Sequence, residues 1–178
     1  MFKRIVVGLD GSDHARKALE IAAEMASIHR SSLVLVRALS DAPLTDAERE
    51  LAETEYGVRG LEGEPPATAV ANAGADPRLG FPVAQNQPSP GSVRARTEIA
   101  QSRLEDTRRD ILQRGIESVE ISIETGDPAD VILHVAKARD ADLIVIGSRG
   151  LSDLQGLVFG STSHKVAHRA ECTCLTVS

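Results

Sequence analysis

A chain of 178 residues with 42% apolar side chains is long enough for one domain with a real core. Its 20 basic and 26 acidic residues, net charge −6 without a long block of one sign, argue against a nucleic-acid partner. No run approaches the roughly 20 apolar residues that cross a bilayer, and Met1 to Arg4 lead into a short strand rather than a signal peptide, so no membrane partner and a cytoplasmic location are expected.

Aromatic residues make up only 2%, so the core must be built from Val, Ile, Leu and Ala, which suits helices packed closely on a sheet. Ile5 to Leu9 form a continuous apolar run, as in a parallel strand covered on both faces; Asp10, Gly11 and Ser12 then supply a turn and a helix cap. Ala15, Ala18, Leu19, Ala22 and Ala26 recur at helical spacing, with Arg16, Lys17, Glu20 and Glu24 between them. Ser32 to Leu39 make the next buried strand, completing a βαβ unit whose crossover is right-handed. Leu44 to Tyr56 fit a short acidic helix. Residues 57 to 93 hold six of the 14 glycines and six of the eight prolines, too many breakers for a packed element. Residues 40–93 are therefore read as a mobile insertion within a single domain, 1–178, with the roles of lid, partner-binding loop and solvated tether all open.

The helix expected from Arg94 to Arg114 places Ile99, Leu104, Ile111 and Leu112 on one narrow face and stops at Gly115. Val119 to Thr125 alternate apolar and polar, as a strand at a sheet edge would. Asp127 as N-cap and Pro128 at the first helical position start a helix through about Lys137, with Val131, Ile132, Val135 and Ala136 inward. Leu143 to Ile146 form a second fully buried strand, and Cys172 to Val177 the last one. Cys172 and Cys174 share a face and are read as small buried side chains, because C-x-C lacks the further ligands zinc requires. His164 and His168 also share a face, without a third ligand, and are read as exposed. Strands alternating with helices argue for an open, doubly wound α/β sheet.

Between the fourth strand and the last helix lie Gly147, Gly150 and Gly160, followed by Ser161, Thr162 and Ser163. Glycines let backbone approach an anion, and the free amides of a helix start attract negative charge. No G-x-x-x-x-G-K-[ST] string occurs, so a lysine-based P-loop is excluded. Gly147 and Gly150 would expose amides toward ribose or phosphates, and Gly160, Ser161 and Thr162 would offer N–H groups and hydroxyls. Arg149 could offset the charge of a triphosphate. Asp10 could hold a ribose, an adenine edge or a water of hydrated Mg²⁺.

The spacing Gly147-x2-Gly150-x9-Gly160-Ser161 resembles the nucleotide-binding signature G-x2-G-x9-G-[ST] of the universal stress protein family, in its ATP-binding branch. Phe2 to Ser12 resemble that family's opening strand and the acidic residue closing it. Arg169 to Val177 resemble its last strand less closely, since prolines often stand there in place of Glu171 and Thr173. The resemblance covers about residues 1–39 and 94–178. It implies a five-stranded parallel sheet of order 3-2-1-4-5, adenine nucleotide alpha hydrolase-like, with helices on both faces. In such a sheet a crevice opens at the carboxyl ends of strands one and four, where Asp10 and Gly147 lie. The resemblance further implies Gly8, Ala38 and Ile146 against base and sugar, ATP with Mg²⁺ as ligand, and a homodimer through the last strand, whose edge is open to pairing. The expected role is regulatory, in a stress response, with weak ATP hydrolysis at most, because no base, arginine finger or second carboxylate is evident at the loop. Two alternatives are a slow ATPase or phosphotransferase using Asp10, and a nucleotide-free protein binding a partner through residues 40–93.

Overall fold

The structure, a computed structural model, describes residues 2–40, 44, 46–56, 90–150 and 160–178. Five strands, β1 (Arg4–Gly8), β2 (Ser32–Leu39), β3 (Val119–Thr125), β4 (Leu143–Gly147) and β5 (Thr173–Val177), form one parallel sheet of order β3-β2-β1-β4-β5. The described helices are α1 (Asp13–His29), α2 (Asp46–Thr54), α3 (Pro90–Gln113), α4 (Pro128–Ala138) and α5 (Ser161–Arg169). Contacts divide the chain into one unit of Met1–Leu39 with Arg103–Ser178, which contains the sheet, and another of Ser40–Ser102.

The pleat sorts the sheet's side chains into two layers. Ile5, Val7, Leu33, Leu35, Leu143 and Val145 pack with Ala18, Ala22 and Ala26 of α1 and with Leu104 and Ile111 of α3. Val6, Val34, Val36, Ile144 and Ile146 pack on the other face with Ile132 and Val135 of α4 and Val166 of α5. Alanine is the right residue on α1 because helix and sheet approach closely. A Cβ added to Gly147 at the end of β4 would lie 2.8 Å from the carbonyl carbon of His14 and 2.9 Å from the amide nitrogen of Ala15.

Both expected caps are present. Ser12 Oγ accepts from the Ala15 amide at 3.2 Å, and Asp127 Oδ1 accepts from the amides of Ala129 at 3.0 Å and Asp130 at 3.3 Å. In β3, Ile121 and Ile123 pack on the α1 side and Glu120 faces away to pair with Arg139 at 3.0 Å. Among the described residues no helix is long and apolar enough to cross a membrane.

Three expectations change. The third helix begins at Pro90, inside the segment read as insertion, because a proline in the first turn has no amide to satisfy and does not stop a helix from starting. On that helix Leu112 is 36% exposed while Ile111 is 1% exposed, since neighbouring residues point about 100° apart and only one meets the sheet. Cys172 precedes β5 in a bend, and both thiols are only half-buried because β5 has a strand on one side alone. In the unit Ser40–Ser102, Leu44, Ala52, Ala95 and Ile99 form a small cluster joining the acidic helix α2 to the first half of α3. Residues 41–43, 45 and 57–89 of the expected insertion, and so its mobility, lie outside the described residues.

Candidate functional site

Three of the described helices, α1, α4 and α5, start at the carboxyl edge of the sheet, so three N-termini with orphan amides converge there. Ser12 caps the first and Asp127 the second. The third follows Gly160, which carries no side chain, and its first turn has no side-chain cap. That asymmetry singles out the start of α5 as the place with amides to offer an anion.

Hydrogen bonds knit the turn after β1 to the loop after β4. Gly11, at φ +89°, makes the tight bend that brings Asp10 Oδ1 within 2.9 Å of the Ser12 amide, which donates to it. Ser12 Oγ reaches the carbonyl of Arg149 at 3.4 Å. Asp10 Oδ2 lies beside Gly150, where an added Cβ would come within 2.7 Å of it. Ser148 ties the loop together from within: its amide donates to the Val177 carbonyl at 2.6 Å, while its carbonyl accepts from the Gly160 amide at 2.7 Å and from Ser163 Oγ at 2.8 Å. Ser148 and Ser163 are each 2% exposed.

A cleft of about 240 Å³ opens between these segments. All ten expected residues, Gly8, Asp10, Ala38, Ile146, Gly147, Arg149, Gly150, Gly160, Ser161 and Thr162, line it. One detail differs: the Gly160 amide, expected to face a phosphate, is taken by Ser148, which leaves Ser161 and Thr162 as the outward part of the first turn. Val36, Ala38, Ile132 and Ile146 contribute apolar lining to the cleft; Asp10, Arg149, Ser161 and Thr162 contribute polar lining. Backbone geometry adds a further feature. The Leu9 amide donates to the Val36 carbonyl at 2.9 Å, so alternate residues of β2 turn their peptide groups toward β1. The strand β1 ends at Gly8, opposite Val36, so Ala38 presents its N–H and C=O to the cleft rather than to a partner strand.

The sequence singles out neither Ser148 nor Ile132 for the site, and marks Ser163 only as part of a helix start. The bonds of Ser148 are made by its backbone, which no residue type announces, and Ile132 carries the same spacing signal as any inward-facing helix residue. The His164 and His168 rings stack at 6.5 Å between centroids on the exposed side of α5. Among the described residues no group of three or more His, Cys, Asp or Glu side chains is placed to hold a metal.

Beside the cleft, Lys165 of α5 donates to Asp127 Oδ2 at 2.9 Å, joining the starts of α4 and α5. This lysine bond, aided by the Asp130 and Ala129 amides and opposed by partial burial, holds the Asp127 carboxyl below the usual carboxylate range. Its folded pKa being depressed, Asp127 stabilises the protein above about pH 4, and that contribution is lost as pH falls through the folded value. Asp127→Ala is expected to cost about 1 kcal/mol at pH 7 through the lost cap, a fall in melting temperature of about 2–4 °C. In acid the two proteins should converge; a constant difference down to low pH would contradict the assignment.

Comparison with known proteins adds the family. The model of the universal stress protein family matches residues 1–178. The Thermus aquaticus universal stress protein in the QAH/OAS sulfhydrylase 3′ region is 30% identical over 178 residues, covering 99% of each chain. Among solved structures, the universal stress protein UspA from Lactobacillus plantarum superposes with TM-score 0.66 at 20% identity, covering 99% of this chain and 97% of its own. A universal stress protein solved in complex with cAMP superposes with TM-score 0.54 at 23% identity, with coverage of 99% and 97%. These structures share the fold.

Proposed function

This chain belongs to the universal stress protein family, and from that premise we propose that it is a cytoplasmic regulatory protein that binds ATP, with Mg²⁺, in the cleft between β1 and β4. The observation carrying this reading is the uncapped start of α5 in the lining of that cleft, where the Ser161 and Thr162 amides and hydroxyls are available to phosphate oxygens. Gly150 and Gly160 keep the approach open: a Cβ on Gly150 would press on Asp10 Oδ2 at 2.7 Å, and one on Gly160 on the Ser148 carbonyl at 3.3 Å. Arg149 lines the same cleft and would balance phosphate charge. Adenine would lie against the apolar lining, where Ala38 offers one backbone donor and one acceptor, the pair that the Watson–Crick edge of adenine complements. The related structure with cAMP shows that a protein of this fold holds an adenine nucleotide.

Asp10 would hold the ribose or a water of the hydrated metal. It is the one carboxylate among the described residues lining the cleft, and its Oδ1 already accepts from the Ser12 amide. A site so equipped favours binding over turnover, because phosphoryl transfer needs a base or a positioned water and further charge stabilisation. We assign residues 1–178 to one family domain interrupted by residues 40–93, and a homodimer to pairing along the open edge of β5. Light scattering would then report about twice the 18.9 kDa of one chain.

Calorimetric titration with ATP tests the central reading. Nucleotide at about 100 times its dissociation constant should add roughly 2.7 kcal/mol of stability, or about 5–10 °C in melting temperature. The same preparation should release little phosphate. No heat of binding and no thermal shift would refute the assignment, and robust Asp10-dependent hydrolysis would make the protein an enzyme.

A further inference from the structure

We propose that Ser148 couples occupancy of the cleft to the order of β5, the strand at one edge of the sheet; the inference rests on the nucleotide reading above. Ser148 stands directly after β4 and is shut off from solvent. Its amide closes the sheet's last rung, one step beyond the Gly147–Val177 pair, by donating to the Val177 carbonyl at 2.6 Å. Its carbonyl receives the Gly160 amide at 2.7 Å and Ser163 Oγ at 2.8 Å, so the same residue anchors the first turn of α5. The two peptide groups are adjacent, and the φ and ψ of one buried serine set both directions at once.

A phosphate held on the Ser161 and Thr162 amides stiffens that first turn. Gly160 and Ser163 then hold the Ser148 carbonyl in one orientation, which fixes the amide that faces Val177. Bonds in such a chain polarise and strengthen one another. By linkage, a well-ordered β5 end favours nucleotide to the same degree that nucleotide favours β5 order. The edge strand is a natural place for the effect to be read, since Cys174, Leu175 and Thr176 are only half-buried and, within one chain, pair with β4 alone.

The sheet contains its own control. The other edge strand, β3, pairs with β2 alone, and no residue of β3 or β5 lines the cleft, so ligand shields neither directly. Amide hydrogen exchange is measured with and without saturating ATP, occupancy is confirmed by calorimetry on the same preparation, and light scattering confirms one oligomeric state in both conditions, so that pairing between chains at β5 is constant. The slowing of exchange in β5 is expected to exceed that in β3 by on the order of tenfold. In Ser163→Ala, saturated with ATP, the excess should shrink to about threefold or less, because one of the two bonds on the Ser148 carbonyl is gone. Equal slowing at both edges with ATP bound, or a full excess retained in Ser163→Ala, overturns the coupling alone. Absence of any binding heat overturns the coupling and the site assignment together.

Discussion

Gly160→Val is expected to weaken ATP binding by at least about 100-fold, close to 2.7 kcal/mol, while leaving the chain folded. Gly160 has φ −73° and ψ 158°, an extended conformation that valine adopts readily, so the backbone accepts the change. Space is the obstacle. The first carbon of the new side chain would sit 3.3 Å from the Ser148 carbonyl oxygen and 3.5 Å from Arg149 Cα, and the two methyls beyond it would crowd the start of α5 in the cleft lining. The amides of Ser161 and Thr162 would then be displaced or covered. Gly160→Ala adds one carbon at a contact already tighter than usual and should fall between parent and valine. Calorimetric titration of all three, with circular dichroism to confirm folding, checks the order; equal affinities in parent and valine variant would contradict the geometry.

Among the glycines whose surroundings the structure describes, Gly147→Ala should show the largest loss of stability from a single added methyl. The atoms it meets are main chain, the His14 carbonyl carbon at 2.8 Å and the Ala15 nitrogen at 2.9 Å, and they cannot turn aside as a side chain does. Relief requires α1 to lift from β4, loosening Ala18, Ala22 and Ala26 against Ile5, Val7, Leu143 and Val145. Overpacking of this kind costs about 3 kcal/mol, a fall in melting temperature of roughly 6–12 °C for a chain of this size. Gly8→Ala makes the informative contrast. Its new Cβ meets Ile132 Cδ1 at 2.8 Å, the tip of a flexible side chain, so the expected cost is about 1 kcal/mol. A melting temperature for Gly147→Ala equal to that of Gly8→Ala would contradict the close approach of α1 to β4.

Much of this arrangement is legible in the amino-acid sequence. Spacing along one chain is a local property, so the alanine stripe of α1, the Asp127–Pro128 start of α4 and the three glycines around the loop all declare themselves. Strand order is not local. Periodicity identifies β1 and β4 as buried on both faces but does not say which neighbours they have, and the order 3-2-1-4-5 came from resemblance. The start of α3 at Pro90 was hidden by composition, because prolines read as breakers although a first-turn proline does not break a helix. Leu112 was misplaced by one helical step. The bonds of Ser148 are the deepest omission: they join residues 148, 160, 163 and 177 through main-chain groups, and any residue with an amide and a carbonyl would spell the same.

In the proposed mode of binding, amide groups at the start of α5, rather than a lysine, grip the phosphates. Amide spectra recorded during titration with ATP and, separately, with adenosine address it most directly. ATP is expected to move the Ser161 and Thr162 amide protons downfield more than any others, adenosine to leave them nearly unmoved, and both ligands to shift Ala38. Saturation with ATP that leaves Ser161 and Thr162 in place, or equal shifts from adenosine, would contradict it.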